Sequence, residues 1–359
     1  MSLSLRNASL RLLVSLEDTN IYKLGSARFQ NRFFIVTGPG SRRLLSTPEV
    51  IGFHCYTALL KETAAALRFL SQEGQDGVFD ILTILRGGLN YPLEEACNMV
   101  GIPVREMHFV SCERIIENHV ITGLDIKYEK LNPAKGCTIA IGDIIASGAT
   151  LKMCLDYVVE EFHRRGGSIK RIVFFTIGGS KAIGLMEEMT PRLKDLFPGF
   201  EGFDCFFYEG VFTVYEGPGA SGINIRDIDF GWNGGVIAPE FRDWVMDHPD
   251  ALLEKCIIYD GGARRYEIPL HIDEVTEYWE GILSRADVID TAALVGEKLG
   301  YPSPLGYEAW KEVTRIPGGW EGLWKKEQAL LADARHTDLK ALALRRLQSM
   351  ENLRKQYEL

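Results

Sequence analysis

Apolar positions along the chain change their period in a regular way. Residues 47–70 repeat apolar side chains at helical spacing, with Ser46 or Thr47 as the cap and Pro48 in the first turn. Residues 78–85 read as a buried strand that ends at Arg86-Gly87-Gly88, and helical spacing resumes over 89–99. A strand is predicted over 104–110. A long polar stretch through Asn118 follows, and a short strand over 124–128 pairs back across it. Residues 138–145 are apolar and β-branched at their start, the pattern of a central strand. A helix over 151–165 is stopped by Gly166-Gly167. A further buried strand spans 171–177, and Gly178-Gly179-Ser180 turns the chain into another helix.

Strands alternating with helices of this length predict an α/β fold, a parallel sheet flanked by helices. Beyond Phe241 the pattern is mainly helical, and residues 327–353 have the leucine and alanine spacing of an amphipathic packing or dimerisation helix. The expected division is an α/β unit over residues 1–240 and a helical C-terminal extension over 241–359. All six tryptophans (Trp232, Trp244, Trp279, Trp310, Trp320 and Trp324) follow Gly231, and no glycine-serine or proline-rich linker intervenes. The extension is therefore expected to pack on the core or to form an interface.

Composition narrows the class of partner. The chain has 359 residues, 46% hydrophobic and 25% charged, with 40 Lys and Arg against 49 Asp and Glu and a net charge of -9. Broad nucleic-acid binding needs a basic surface and is not expected. No run approaches the roughly 18 apolar residues of a membrane span. The early apolar stretch is interrupted by Arg6, Asn7 and Arg11, unlike a signal peptide. The seven cysteines (Cys55, Cys97, Cys112, Cys137, Cys154, Cys205 and Cys256) are scattered and never form C-x-x-C. They are read as buried thiols of a cytoplasmic protein, with no disulfide framework or structural zinc.

Ligands bind beyond the carboxyl ends of the strands in such a sheet. After the strand at 138–145 the chain runs Gly142-Asp143-Ile144-Ile145-Ala146-Ser147-Gly148-Ala149-Thr150-Leu151, from an acid through a small-residue loop to a helix start. Free backbone N–H groups and the helix dipole favour a phosphate there, Ser147 and Thr150 add hydroxyl donors, and Asp143 suits sugar hydroxyls or a Mg²⁺ shell. The Gly-Lys-Ser/Thr ending of a P-loop is missing. One strand earlier, Arg86 offers a fork of donors to a diphosphate, and Gly87 and Gly88 let backbone amides approach it. No H-x-x-x-H pair and no G-x-S-x-G elbow supports metal or serine hydrolysis.

Together these two runs identify a resemblance. Residues 142–151 resemble the phosphoribosyl pyrophosphate (PRPP) signature of type I phosphoribosyltransferases, and Ile84-Leu85-Arg86-Gly87-Gly88-Leu89 resembles that family's pyrophosphate loop. The pattern over 47–240 is most similar to the uracil phosphoribosyltransferase branch. It includes Lys127-Tyr128-Glu129-Lys130-Leu131-Asn132-Pro133 and Thr176-Ile177-Gly178-Gly179-Ser180-Lys181-Ala182-Ile183-Gly184. The resemblance implies a Mg²⁺-dependent transfer of 5-phosphoribosyl from PRPP to a nucleobase, pyrimidine-like and uracil first, with release of pyrophosphate. It implies catalytic roles for Asp143 and Arg86. PRPP would be held by Arg86, Gly87, Gly88, Asp143, Ala146, Ser147, Gly148, Ala149 and Thr150.

Base contacts would come from residues 215–233, with Asp227 and Asp229 either touching the base or capping their loop. Asp229 would meet the metal only through water. The family's mobile active-site loop corresponds to the segment around Glu113 and Arg114, and Gly217-Pro218-Gly219-Ala220-Ser221-Gly222 is either a ligand cover or a surface turn. A homodimer is implied as well. Where the family signature usually has two adjacent acids, this chain has Gly142 and Asp143. That departure keeps a second reading open: a non-catalytic sensor of PRPP or a nucleotide on the same fold.

Overall fold

A computed structural model describes residues 5–75, 77–117, 120–146, 148–215, 217–224, 230–255 and 263–357. The chain begins with an antiparallel pair, β1 (Ser9–Leu16) and β2 (Thr19–Gly25), followed by β3 (Arg32–Thr37). Three helices come next, α1 (Pro39–Ser46), α2 (Phe53–Thr57) and α3 (Leu60–Gln72). The α/β alternation then proceeds through β4 (Phe79–Leu85), α4 (Leu93–Val100), β5 (Val104–Glu117), β6 (Val120–Lys130) and β7 (Cys137–Ile145). It finishes with α5 (Ala149–Arg164), β8 (Ile169–Gly179), α6 (Ser180–Leu196), β9 (Phe203–Val214) and β10 (Phe230–Ile237). The strands of the described residues form one sheet in the order β1-β2-β3-β9-β8-β7-β4-β5-β6, with β10 also on β9. The middle six, β3 through β5, are parallel. β1, β2, β6 and β10 add antiparallel edges.

This is the expected α/β sheet flanked by helices, and the departures from expectation have local causes. The helical spacing of residues 47–70 covers two helices, α2 and most of α3, and the expected cap residues Ser46 and Thr47 instead close α1. Ser46 closes α1 by donating its hydroxyl to the Arg42 carbonyl, and Gly52 stands in the left-handed region at φ 59° before α2. The polar stretch after 110 is strand, because β5 continues to Glu117 and pairs with β6 from Phe109↔Lys130 to Glu117↔Val120.

A pair of buried carboxylates fixes the start of α1. The helix opens at Pro39, and its first N–H groups lack helical partners. Gly40 N and Ser41 N donate to Glu62 Oε1 over 2.8 and 3.3 Å, and Gly38 N donates to Glu209 Oε1 over 2.9 Å. Thr37 and Ser41 add their hydroxyls to Glu209. Glu209 sits at φ 63°, where β9 stops pairing with β3 and begins pairing with β10. Its strained backbone is held by these hydrogen bonds.

The C-terminal region is helical: α7 (Pro239–Asp247), α8 (Pro249–Leu252), α9 (Ala263–Tyr266), α10 (Ile268–Arg285), α11 (Thr291–Leu299), α12 (Tyr307–Thr314), α13 (Glu321–Asp333) and α14 (Leu339–Gln356). The single helix expected over 327–353 is two. Asp338 caps α14 by accepting from Ala341 N at 2.9 Å. Glu327, at the start of that expected helix, is fully buried. It accepts from Arg242 Nε at 2.7 Å, Trp310 Nε1 at 2.7 Å and the Tyr301 hydroxyl at 2.5 Å. Trp244 Nε1 donates to Ser46 Oγ at 3.1 Å, which ties α7 to α1. No helix among the described residues is long and apolar enough to cross a membrane.

Burial pushes the Glu209 carboxyl up from 4.5 to about 8 despite its three hydrogen bonds and the nearby Arg42 charge. The unfolded chain ionises this group first as pH rises, so the folded state loses stability between about pH 5 and about pH 8. The full loss is on the order of 5 kcal/mol. Urea denaturation across that range should show the wild type declining relative to Glu209→Gln. Parallel pH profiles for the two proteins would contradict the assignment.

Candidate active site

β4 and β7 lie side by side from Phe79↔Thr138 to Leu82↔Ile141, yet β4 leads outward to β5 and β7 leads the other way to β8. That reversal makes a topological switch point, the usual crevice for a ligand in an open parallel sheet. β4 ends in a single-turn 3₁₀ helix over Gly87–Asn90, and β7 ends in the loop that opens α5. The two ends touch. Asp143 is so close to Gly87 that a β-carbon there would collide with its carboxylate Oδ1. A β-carbon on Gly88 would stand 3.3 Å from the Gly142 carbonyl oxygen. Asp143 is partly exposed, and its Oδ1 also accepts from Ile144 N at 2.8 Å.

The structure thus brings Arg86, Gly87, Gly88 and Asp143 together beside the helix start formed by Gly148, Ala149 and Thr150. Gly148 caps α5 in the left-handed region at φ 75°, a turn that favours glycine, and its carbonyl accepts from Lys152 N at 2.8 Å. Ala146 stands half-buried between β7 and this turn. The N-terminus of a helix such as α5 carries the positive end of its dipole. Ser147, Asp227 and Asp229 lie outside the described residues.

Gly142 has a structural reason that sequence reasoning missed. Any side chain there would run into the Cβ and ring of Tyr91, which is buried against the strand. The Tyr91 hydroxyl accepts from Ile177 N on β8 at 3.3 Å. Burial holds its pKa well above the ordinary value, and the Asp143 charge pushes it further up. Tyr91 therefore fills the place that an acid at 142 would take. Asn90-Tyr91-Pro92, directly after the glycine loop, was the available signal.

The C-terminal region, expected to pack on the core or form an interface, also reaches this site, through residues that the sequence did not single out. Arg86 forms a two-pronged ion pair with Glu267, Nη1 to Oε1 at 3.1 Å and Nη2 to Oε2 at 3.4 Å. Arg265 donates to the Leu89 carbonyl and stacks over the Tyr56 ring at 4.0 Å. Beside them a cavity of about 140 Å³ is lined by Thr83, Gly88, Tyr91, Glu95, Arg265 and Tyr266, among others.

Other motif residues do structural work. Glu129 accepts from the Tyr157 hydroxyl and from Arg165, and Lys130 pairs with Glu106 at 2.5 Å, so this run braces β6 against β5 and α5. Glu113 pairs with Lys127 at 3.3 Å, and Arg114 lies opposite Leu124 in the β5–β6 ribbon. The 217–222 turn is tied to α11, where Ala220 N donates to Glu297 Oε2 at 2.7 Å.

No protein-family model and no curated protein matches the chain. Among solved structures it is similar to the hypoxanthine phosphoribosyltransferase of Staphylococcus aureus, at 15% identity and TM-score 0.28. That alignment covers 36% of this chain and 65% of the staphylococcal one, just under two thirds of its length. The Trypanosoma cruzi hypoxanthine phosphoribosyltransferase in a ternary substrates complex matches at 16% identity and TM-score 0.26, over 36% of this chain and 69% of that one. A protein from Aquifex aeolicus matches at 17% identity and TM-score 0.29, over 48% of this chain and 85% of that one.

The collision at Gly142 makes a stability prediction. Gly142→Ala should cost about 1–3 kcal/mol by overpacking against Tyr91. In a double-mutant cycle followed by urea denaturation, Tyr91→Ala should absorb most of that cost, with a coupling above about 1 kcal/mol. Additive effects would show that Tyr91 does not occupy this space.

Proposed function

We propose that the protein is a phosphoribosyltransferase that moves 5-phosphoribosyl from PRPP to a nitrogen of a nucleobase-like acceptor. The observation that carries this reading is the meeting of two strand-end loops at the switch point, with Gly87 packed on the Asp143 carboxylate. Arg86, Gly87 and Gly88 take the diphosphate, and Asp143 takes the ribose hydroxyls. Ala146, Ser147, Gly148, Ala149 and Thr150 hold the 5′-phosphate at the start of α5. The acceptor nitrogen forms a bond to C1′ and loses its proton. The C1′–oxygen bond breaks, and its electron pair leaves with pyrophosphate. Charge builds on the departing diphosphate, so the Arg86 guanidinium and the loop amides act where it grows.

A donor set of one carboxylate beside an expected diphosphate suits Mg²⁺ carried largely on phosphate oxygens and water. Asp143 is the group that would meet that shell, and the bound ion would neutralise diphosphate charge. The acceptor we propose is pyrimidine-like, with uracil first, bound along residues 215–233, where Asp227 and Asp229 are candidate contacts. The assembly proposed is a homodimer, and light scattering at micromolar concentration should give twice the chain mass; a monomer would refute it.

A second reading, a PRPP or nucleotide sensor, is favoured by one observation: Tyr91 fills the place of the second acid. Pyrophosphate release from PRPP and Mg²⁺ with a panel of bases separates the two. Release with a pyrimidine supports the enzyme. Calorimetric binding of PRPP without release for any base supports the sensor. Asp143→Asn should lower PRPP affinity and turnover about tenfold or more, the scale of a lost charged hydrogen bond. Full activity in that variant would remove Asp143 from the site.

A further inference from the structure

Arg86 is the cation that the diphosphate would need, and it is engaged by the chain's own C-terminal region. The engaging segment is short and fastened at several points. Gly52 N donates to the Arg264 carbonyl at 2.7 Å, and Arg264 Nη1 donates to the Leu44 carbonyl. Arg265 is fixed between the Tyr56 ring and the Tyr266 ring, at 4.0 and 4.9 Å, while its Nη1 holds the Leu89 carbonyl of the glycine loop. Tyr56 is in turn held by Glu95 of α4. Glu267 stands at the end of this strap, immediately before α10 begins at Ile268.

The strap aims a carboxylate at Arg86 in the geometry that a phosphate would use. Both terminal nitrogens of the guanidinium are taken, one by each carboxylate oxygen. A carboxylate and a phosphate face satisfy the same planar fork of donors. The pair is open to water, with Arg86 52% and Glu267 35% exposed, so it is weak and within reach of a ligand. A diphosphate brings several negative charges against one.

We propose that Glu267 is a built-in stand-in for the diphosphate: the strap of residues 263–267 closes Arg86 in the free protein and yields when a diphosphate ligand arrives. This inference rests on the reading of the switch-point loops as a diphosphate site. It gives the C-terminal region a regulatory part in that site: it sets a threshold of ligand concentration below which Arg86 stays neutralised. Two unlike contacts carry it, the fork on Arg86 and the grip of Arg265 on the glycine loop.

Calorimetric titration of wild type and Glu267→Gln with inorganic pyrophosphate, and separately with PRPP, tests it. The substitution keeps the side chain's size, and matched thermal melts check that the variant is folded. Pyrophosphate should bind the variant about two- to fivefold more tightly, the scale of an exposed ion pair. In the wild type, hydrogen exchange of peptides covering 263–270 should speed up on saturation with pyrophosphate. Equal or weaker binding by the variant, or unchanged exchange, overturns the strap and makes Glu267 a residue that orients Arg86. If pyrophosphate binds more tightly to the variant while PRPP binds neither protein, the strap stands and the phosphoribosyl reading falls. If neither ligand binds either protein, both fall.

Discussion

The parallel pairing of β4 with β7 is the constraint on which the rest of the site depends. Four residue pairs, from Phe79↔Thr138 to Leu82↔Ile141, bring two strand ends level although 57 residues separate Arg86 from Asp143 along the chain. One strand continues outward to β5 and the other to β8, the arrangement that leaves a crevice between strand ends in an open sheet. The loops are then free to approach each other, and glycine at 87 and 88 lets them do so. A slip of one register would turn Asp143 to the opposite face of the sheet and dissolve the site.

Close approach has a second consequence at Gly142. Alternate residues of β7 face opposite sides, so Asp143 looks toward the glycine loop while position 142 looks toward Tyr91. An acid at 142 would have to share a buried space with an aromatic ring and find new partners there. The chain has settled this with a glycine and a tyrosine whose hydroxyl is used by β8. The glycine at this position is thus explained by the packing of its neighbour. The C-terminal helices reach the same region through firm attachments. The Arg242–Glu327 pair ties α13 to α7, and the Trp244–Ser46 hydrogen bond ties α7 to α1.

Much of the core was legible because period and punctuation are local. The alternation of strands and helices from β4 to α6 follows from runs that a few residues define, and both strand-end loops announce themselves by glycines after apolar strands. What escaped was set by long-range partners. Glu62 and Glu209 cap α1 from 22 and 171 residues away, and Arg86 meets Glu267 across 181 residues. Neither charge pattern carries a local signature. Glu327 reads as one acid on a charged helical face until Arg242, Tyr301 and Trp310 are seen to converge on it. The division of residues 47–70 was hidden for another reason: apolar spacing persists through a break when successive helices pack on the same core.

The long β5–β6 ribbon bears on solubility. β6 closes one side of the sheet, and its outward backbone groups are a template onto which a foreign strand could hydrogen-bond. Along that rim stand Asp125, Lys127, Glu129 and Lys130, mostly exposed and already matched to Glu113, Arg165 and Glu106. A strand laid alongside would have to thread between fixed ionic side chains and strip them of water. Sheet-to-sheet polymerisation through this rim is thereby discouraged, so solubility is protected at an edge where the backbone itself would recruit a neighbour.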